Sequence, residues 1–150
     1  MSSKSIHHVE MRERILELEK QVAKLQAKQQ NYQGILENME LGILEVDLEE
    51  RIVKAYPKFC ELLGYTEEEL IGKKASEKLL DQELHEQMDK QTLARNKGES
   101  GLYEVPVRTK LGEVKWLLIS GVPVRNAKGE IVGSMGTHYD ISERKRDEEA

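Results

Sequence analysis

The 150-residue sequence has a single cysteine, Cys60, so no disulfide can form within the chain. No Cys or His lies near Cys60 at the spacing of zinc ligands, which is typical of proteins from a reducing compartment. Long hydrophobic runs are missing too. The longest, around residues 116–124, is interrupted by a serine, a glycine and a proline and is too short to cross a bilayer. Residues 1–10 lack the apolar segment of a signal peptide. These absences predict a cytoplasmic protein without membrane insertion.

An excess of positive charge is also missing. The chain carries 23 Lys and Arg against 28 Asp and Glu, a net charge of -5, and residues of the two signs are interleaved. Binding to nucleic acid usually requires a basic face. We therefore expect no nucleic-acid partner.

The motifs of catalysis are absent from the sequence. It contains no nucleophile–base pair, no glycine-rich phosphate loop and no cluster of metal ligands. We also find no phosphoacceptor histidine of a kinase, no ATP-binding motif and no cyclase motif. The sequence predicts a chain that is not an enzyme and holds no metal, although it would be able to regulate an output domain in a longer signalling protein.

Proline is absent and glycine nearly absent from residues 1–36, which are rich in helix-forming residues. Apolar residues recur there at alternating spacings of three and four, the a and d positions of a coiled coil. Ile or Val at a with Leu at d favours a parallel dimer, and the polar Gln29 at one a position would fix the register. The alternative is an amphipathic helix that folds back onto the chain, but its apolar stripe would be unusually narrow. The predicted dimer interface comprises Met11, Ile15, Leu18, Val22, Leu25, Gln29, Tyr32 and Leu36.

From residue 37 onward the pattern changes to short strands and helices. Pro57 fits the first turn of a helix, Gly64 fits a helix end, and Thr66 with Glu69 forms a capping box for the next helix. The predicted elements are strands at 41–47 and 51–56, two short helices within 57–74, a longer helix at 81–98, strands at 101–109, 113–125 and 130–141, and the start of a helix at 142–150.

The stretch RIVKAYPKFCELLGYTEEELIGK, residues 51–73, resembles the PAS family, in which a strand and a helix lead to Gly-Tyr and then Ser/Thr-x-x-Glu-Leu-Ile-Gly. Trp116 stands where PAS domains often carry an aromatic residue, and Asp140-Ile141-Ser142 is similar to the Asp-Ile-Thr signature that precedes the signalling helix. The resemblance implies an α+β fold, a five-stranded antiparallel sheet with helices over one face. It places the PAS domain at 37–141.

The same resemblance implies a PAS/PAC sensory box like those of bacterial two-component sensor proteins. Such a module would pass a ligand-linked or redox-linked change to its flanking coiled-coil helices. Two alternatives remain open: a sensor that depends on haem or flavin, and an interaction scaffold without a ligand. The cofactor is therefore unknown, and none is the first expectation.

One alternating face of the last three strands, with residues from the helices, would enclose a small cavity or simply fill it. We expect a filled apolar core rather than an obligatory cofactor site. Cys60 is expected to pack in the core, His85 to lie on the surface rather than to bind haem, and His138 has no assigned ligand role. The pocket candidates are Phe59, Leu63, Met88, Val105, Val107, Trp116, Leu118 and Met135.

The hairpin before the final helix predicts a coupling contact. With a loop at residues 126–129, an unbroken antiparallel register places Asp140 opposite Lys115; a bulge at Pro123 would shift it by two residues. The PAS resemblance implies that Asp140 anchors the helix exit through an ion pair. We expect Asp140, Ser142 and Lys115 to couple the domain to the helix that follows.

Overall fold

The structure, a computed structural model, describes residues 3–38 and 41–149, with side chains described except at 33, 35–38 and 149. The chain forms two compact units, Met1–Leu36 and Glu37–Ala150. The boundary falls where the composition changes from a glycine-poor and proline-free segment to one of strands and turns.

The first unit is one long helix, α1, at Ser3–Asn38. Its 36 residues correspond to about 54 Å at a rise of 1.5 Å per residue. The six apolar members of the predicted interface whose side chains are described are 42% to 65% exposed, and Gln29 is exposed as well. The side chain of Leu36 lies outside the described residues. Among the described residues, no helix combines the length and the apolar character needed to cross a membrane.

The second unit is a five-stranded antiparallel sheet with helices packed on one face. The strands lie in the order β2-β1-β5-β4-β3, so the first and last strands of the chain are neighbours in the middle of the sheet. This arrangement confirms the predicted fold class. The elements are β1 (Gly42–Asp47), β2 (Ile52–Ala55), α2 (Pro57–Leu63), α3 (Glu67–Leu70), α4 (Ala75–Leu79), a 3-10 turn (Gln82–Leu84), α5 (His85–Asn96), β3 (Gly101–Arg108), β4 (Val114–Arg125), β5 (Ile131–Asp140) and α6 (Ser142–Glu149).

Local sequence signals fix the short helices. Pro57 begins α2, and Gly64 ends it with a φ of 80°, in the left-handed region that glycine enters without steric cost. Thr66 accepts a hydrogen bond from the backbone of Glu69, whose side chain accepts one from the backbone of Thr66. The capping box predicted from the sequence is therefore confirmed.

The core lies between the helices and the inner face of the sheet. Phe59, Leu63, Leu70 and Leu117 are fully buried there and belong to one continuous apolar cluster. Burying a side chain of this size stabilises the fold by about 1.5–3 kcal/mol. The cluster fixes the helices against the sheet and so positions the cavity described below.

The predicted inner face of β3 agrees with the structure, but that of β4 is wrong by one residue. Leu117 and Ile119 point into the core, whereas Trp116 and Leu118 are half-buried on the opposite face. Residues 116–119 are all apolar, so the sequence has no alternation from which to choose a face. β4 pairs with both β3 and β5, and these pairings determine which of its residues face the core.

The residues of β5 that point inward are also shifted by one position from the predicted ones. His138 is buried on the inner side, where it pairs with Ile119, whereas Tyr139 is 59% exposed. The expected pairing of Asp140 with Lys115 is wrong: Asp140 faces Leu117, and Lys115 faces Val107 on β3. The loop and a register shift at Val124/Arg125, next to Pro123, displace the pairing by two residues.

Candidate functional site

A cavity of about 80 Å³ lies between the inner face of the sheet and the helices. Four of the eight predicted pocket residues line it: Phe59, Met88, Val107 and Met135. Leu63 and Val105 lie elsewhere in the buried core. Trp116 and Leu118 lie on the outer face of the sheet, so they cannot line the cavity. The sequence predicted that side chains would fill this space, whereas the structure leaves a cavity there, and the inward faces of β4 and β5 differ from the predicted ones.

Three buried polar residues on the cavity wall were missed: Glu50, Arg95 and His138. Charged residues in strands and helices are usually exposed, so neither burial nor a role in the cavity was expected of them. Arg95 did carry a signal. It is seven residues after Met88 and four after Gln91, a spacing that places all three on one face of α5.

Arg95 lies in the last turn of α5 and is 4% exposed. Its Nη1 donates a hydrogen bond to the backbone oxygen of Glu99 at 2.6 Å, and its Nη2 donates one to Oε1 of Gln91. Gly101 and Gly121 face each other across β3 and β4 beside the guanidinium. A Cβ added at Gly121 would lie 2.8 Å from Nε of Arg95, and one at Gly101 would overlap Nη2. The two glycines therefore make room for the buried cation.

Glu50 is a buried carboxyl group, 4% exposed, in the turn between β1 and β2. Its Oε1 accepts a hydrogen bond from the backbone N–H of Ser76 at 2.7 Å, and its Oε2 accepts one from the Ser76 hydroxyl at 3.3 Å. Burial nevertheless raises the pKa of Glu50, because desolvation disfavours the charged form more than these bonds favour it.

Tyr103 on β3 brings a hydroxyl group to the same cavity. Its nearest partner is the sulfur of Met88, at 3.8 Å, which is a weak acceptor. Burial is the main cause that raises the pKa of Tyr103 to about 12. The cation of Arg95 opposes this rise, and Glu50 adds to it. The hydroxyl is therefore a neutral donor at any physiological pH.

His138 is the third buried polar residue, at 8% exposure. Its Nδ1 lies 3.2 Å from the backbone oxygen of Gly42, and its ring meets that of Phe59 edge to face with centroids 4.8 Å apart. Burial lowers the pKa of His138 to about 4, because the imidazolium would lose its hydration. His138 is thus neutral near pH 7.

The other candidate side chains lie away from the cavity. Cys60 is half-buried against the core, where burial raises the pKa of its thiol and makes it a poor nucleophile. His85 is half-buried rather than exposed, and its Nε2 lies 3.2 Å from the backbone oxygen of Leu80. In the part of the chain that the structure describes, no group of three or more His, Cys, Asp or Glu is arranged to hold a metal ion.

At the start of α6, the predicted coupling residues make backbone contacts instead of an ion pair. Oδ1 of Asp140 accepts a hydrogen bond from the backbone of Ser142 at 2.9 Å, and the Ser142 hydroxyl accepts one from the backbone of Trp116 at 3.0 Å. The N–H of Ile141 donates to the backbone oxygen of Trp116 at 2.8 Å. These bonds join the first turn of α6 to β4.

A cluster of charged and aromatic side chains holds α6 against the outer face of the sheet. Glu104 on β3 forms ion pairs with Arg144 and with Lys145, whose Nζ lies 2.7 Å from Oε2 of Glu104. The same Nζ lies 4.7 Å from the ring centroid of Trp116. Neither Glu104 nor Lys145 was predicted from the sequence, because a contact 41 positions apart in the chain leaves no local pattern.

Comparison with known proteins agrees with this architecture. The profile of the PAS fold family matches residues 30–141. The human voltage-gated delayed rectifier potassium channel KCNH8 is 30% identical over 121 residues, which are 76% of this chain and 10% of the channel. The chain thus spans about a tenth of that relative's length.

Solved structures give the same answer for the fold. The PAS domain of a protein from Colwellia psychrerythraea is 23% identical, covers 82% of this chain and 99% of its own, and superposes with a TM-score of 0.67. A domain of a sensory box sensor histidine kinase/response regulator from Geobacter sulfurreducens is 20% identical, with coverages of 77% and 96% and a TM-score of 0.65. The family profile extends over most of the sequence, and solved PAS domains superpose on the chain over most of its length; the chain belongs to the PAS family of sensory domains.

Proposed function

We propose that this chain is a dimeric sensory module of cytoplasmic signal transduction, which holds a small ligand and passes the resulting change to its terminal helices. The observation that carries the proposal is the double role of β4. Its inner residues line the cavity, and its outer residue Trp116 contacts α6. A ligand that moves β4 therefore acts on both faces of the sheet at once. A two-component system is the setting we propose, since one relative in fold is a domain of a sensor histidine kinase/response regulator.

The size of the cavity supports a small ligand rather than a large cofactor. Sites for cofactors and drug-sized ligands usually measure about 300–1,000 Å³, against about 80 Å³ here. Haem or flavin would have to displace core residues such as Phe59 and Leu117, both fully buried. The cavity does have room for several water molecules or for a ligand of a few heavy atoms.

The path from the cavity to α6 is short. Tyr103 lines the cavity and Glu104, the next residue of β3, holds α6 on the opposite face. Leu117 and Trp116 have the same relation on β4. Neighbouring residues of a strand point to opposite faces, so a tilt of either strand moves both contacts together. This geometry supports a direct coupling, in which a ligand-induced tilt of β3 or β4 moves α6 without intermediate residues.

The exposed stripe of α1 supports dimerisation as the second part of the proposal. Its apolar members keep the 3-4 spacing over the whole described interface, and the described residues of their unit leave them exposed. A second copy in parallel would bury them in a coiled-coil seam. Two coiled-coil packings of similar energy would then give the sensor two output states.

The test uses Trp116, the one tryptophan of the sequence, as a reporter of α6 docking. We expect Thr92→Met, which fills part of the cavity from α5, to shift the fluorescence of Trp116, because added volume displaces the inner face of β4. Gln87→Met, at an exposed position of the same helix, is the matched control. Equal emission spectra for the two variants would contradict a link between cavity and helix.

A further inference from the structure

Arg95 is a buried cation without a matching negative charge. Its side chain is 96% inaccessible, since 4% is exposed. The hydrogen bonds described for it lead to two neutral oxygens, those of Glu99 and Gln91, although a guanidinium has five N–H donors. No ion pair joins it to an acidic side chain in the described residues. Among the described residues no buried side-chain nitrogen or oxygen lacks a hydrogen-bond partner, but the charge of Arg95 is not paired with an opposite charge, as a buried charge normally is.

Glu50, the acidic residue on the same wall, does not fill this role. Its two carboxyl oxygens accept hydrogen bonds from Ser76, and it forms no ion pair with Arg95. Desolvation also favours its neutral form, as its raised pKa indicates. Arg95 thus remains the principal charge of the cavity.

The surroundings of Arg95 are built around the guanidinium. Gly101 and Gly121 leave the space that it occupies, and any side chain at either position would collide with it. Gln91, one turn earlier on α5, accepts from Nη2 and fixes the orientation of the group. An arginine fixed by Gln91 and by the backbone oxygen of Glu99 is preorganised to bind, because its side-chain entropy is already lost before a ligand arrives.

A second donor lies on the same wall. Among the described residues, the hydroxyl of Tyr103 has only the sulfur of Met88 as a partner, at 3.8 Å. Arg95 and Tyr103 line the same cavity, and the cation lowers the pKa of the Tyr103 hydroxyl. A guanidinium and a phenol together offer the donors that a carboxylate accepts.

The rest of the wall limits the size and polarity of the ligand. Leu44, Phe59 and Leu117 make one side apolar. A cavity of about 150 Å³ holds benzene, which has six heavy atoms, so one of about 80 Å³ holds roughly three to four heavy atoms by the same scale. The ligand would have one anionic end and a short alkyl end.

Resting on the sensory function proposed above, we infer that the cavity binds a short-chain monocarboxylate, with its carboxylate on Arg95 and Tyr103 and its alkyl group on Phe59 and Leu117. Acetate, with four heavy atoms, has the required size. The single negative charge neutralises the single buried cation, and the ligand reaches the inner face of β4.

The test compares acetate with acetamide, its neutral analogue of equal size, by titration calorimetry of the full chain at constant ionic strength. We expect acetate to bind at least about tenfold more tightly, since hydrogen bonds between two charged groups are about twice as strong as neutral ones. Arg95→Met should remove this preference while acetamide still binds. Arg125→Met, at an exposed arginine, is the matched control and should behave as wild type.

Tyr103→Phe keeps the shape of the wall and tests the same site if Arg95→Met fails to fold. We expect it to weaken acetate binding about threefold to tenfold and to leave circular dichroism unchanged. Undiminished binding by the folded Tyr103→Phe variant would overturn the role of the hydroxyl. Equal affinities of wild type for acetate and acetamide would overturn the anion site but leave a small-ligand sensor standing. If neither compound binds and no other small probe changes Trp116 fluorescence, the ligand-binding function itself is wrong.

Discussion

His138 makes the stability of the domain depend on pH. It is buried between Phe59 and the sheet, and its pKa of about 4 lies below the ordinary value of 6.5. Between these values the unfolded chain binds a proton that the folded chain does not bind, so stability falls as pH falls from 6.5 to 4. Near pH 7 this contribution is fully present.

We expect His138→Gln to flatten this dependence. Glutamine keeps a donor for the backbone oxygen of Gly42 but does not titrate. Wild type should lose roughly 3 kcal/mol through this residue between pH 7 and pH 4, and the variant should not. Urea titrations at pH 7, 5.5 and 4 measure the difference, with His85→Gln as control. The same pH dependence in wild type and His138→Gln would contradict the assignment.

Single residues also show which structural features can be predicted from the sequence and which cannot. Thr66, Glu69 and Gly64 were correctly predicted because a cap depends on neighbours within a few positions. Arg95 was not, since its burial depends on two glycines from distant strands. The glycines at residues 101 and 121 could not be linked to Arg95 from the sequence, because it is the pairing of β3 with β4 that brings them together.

At the scale of elements, the positions of the strands along the sequence were predicted well. Which residues of each strand point into the core was predicted less well. Alternation in β3 was sufficient to identify the inner positions Val105 and Val107. In β4 the apolar run 116–119 hid the alternation, and the shift at Val124/Arg125 changed the partner of Asp140. Strand existence is a local property, whereas register in a hairpin with a bulge depends on backbone geometry that side-chain types do not encode.

The docking of α6 is the element-scale property that we expect to be most sensitive to one residue. Glu104→Gln removes the ion pairs to Arg144 and Lys145. Exposed pairs contribute about 0–1 kcal/mol, so melting of the domain should barely change. The emission of Trp116 should shift to the red, and amides of α6 should exchange faster, because Lys145 no longer covers the ring.

Glu113→Gln, in the exposed turn before β4, is the matched control for that experiment. It removes the same charge near the same helix without breaking an ion pair of the described residues. If Glu104→Gln and Glu113→Gln give the same Trp116 spectrum and the same exchange rates, the ion pairs do not hold α6 in place.

For the whole molecule, the oligomeric state should be set by α1. Replacing both Leu18 and Leu25 with Lys places charged groups at two d positions, where burial in a seam is unfavourable. We expect sedimentation equilibrium to show a dimer for the wild type and a monomer for the double variant. Lys20→Leu, at an exposed position outside the a and d stripe, is the control and should remain dimeric.

A dimer that survives both lysines would show that α1 is not the interface. Circular dichroism of residues 37–150 alone would then separate loss of assembly from loss of folding, because the sheet and its core lie within that unit. The buried cluster around Phe59 and Leu117 contains no residue of α1, so we expect this unit to keep its near-native spectrum.

The alternation of β4 has a consequence for how such sensors diversify. Leu117, Ile119 and Gly121 line the cavity, whereas Trp116, adjacent to Leu117, contacts α6 on the other face. In the sensor proposed above, substitutions at the odd positions would alter the ligand that fits the cavity, and substitutions at Trp116 would alter the contact with α6. The two properties could then be changed separately by mutating neighbouring residues of one short segment.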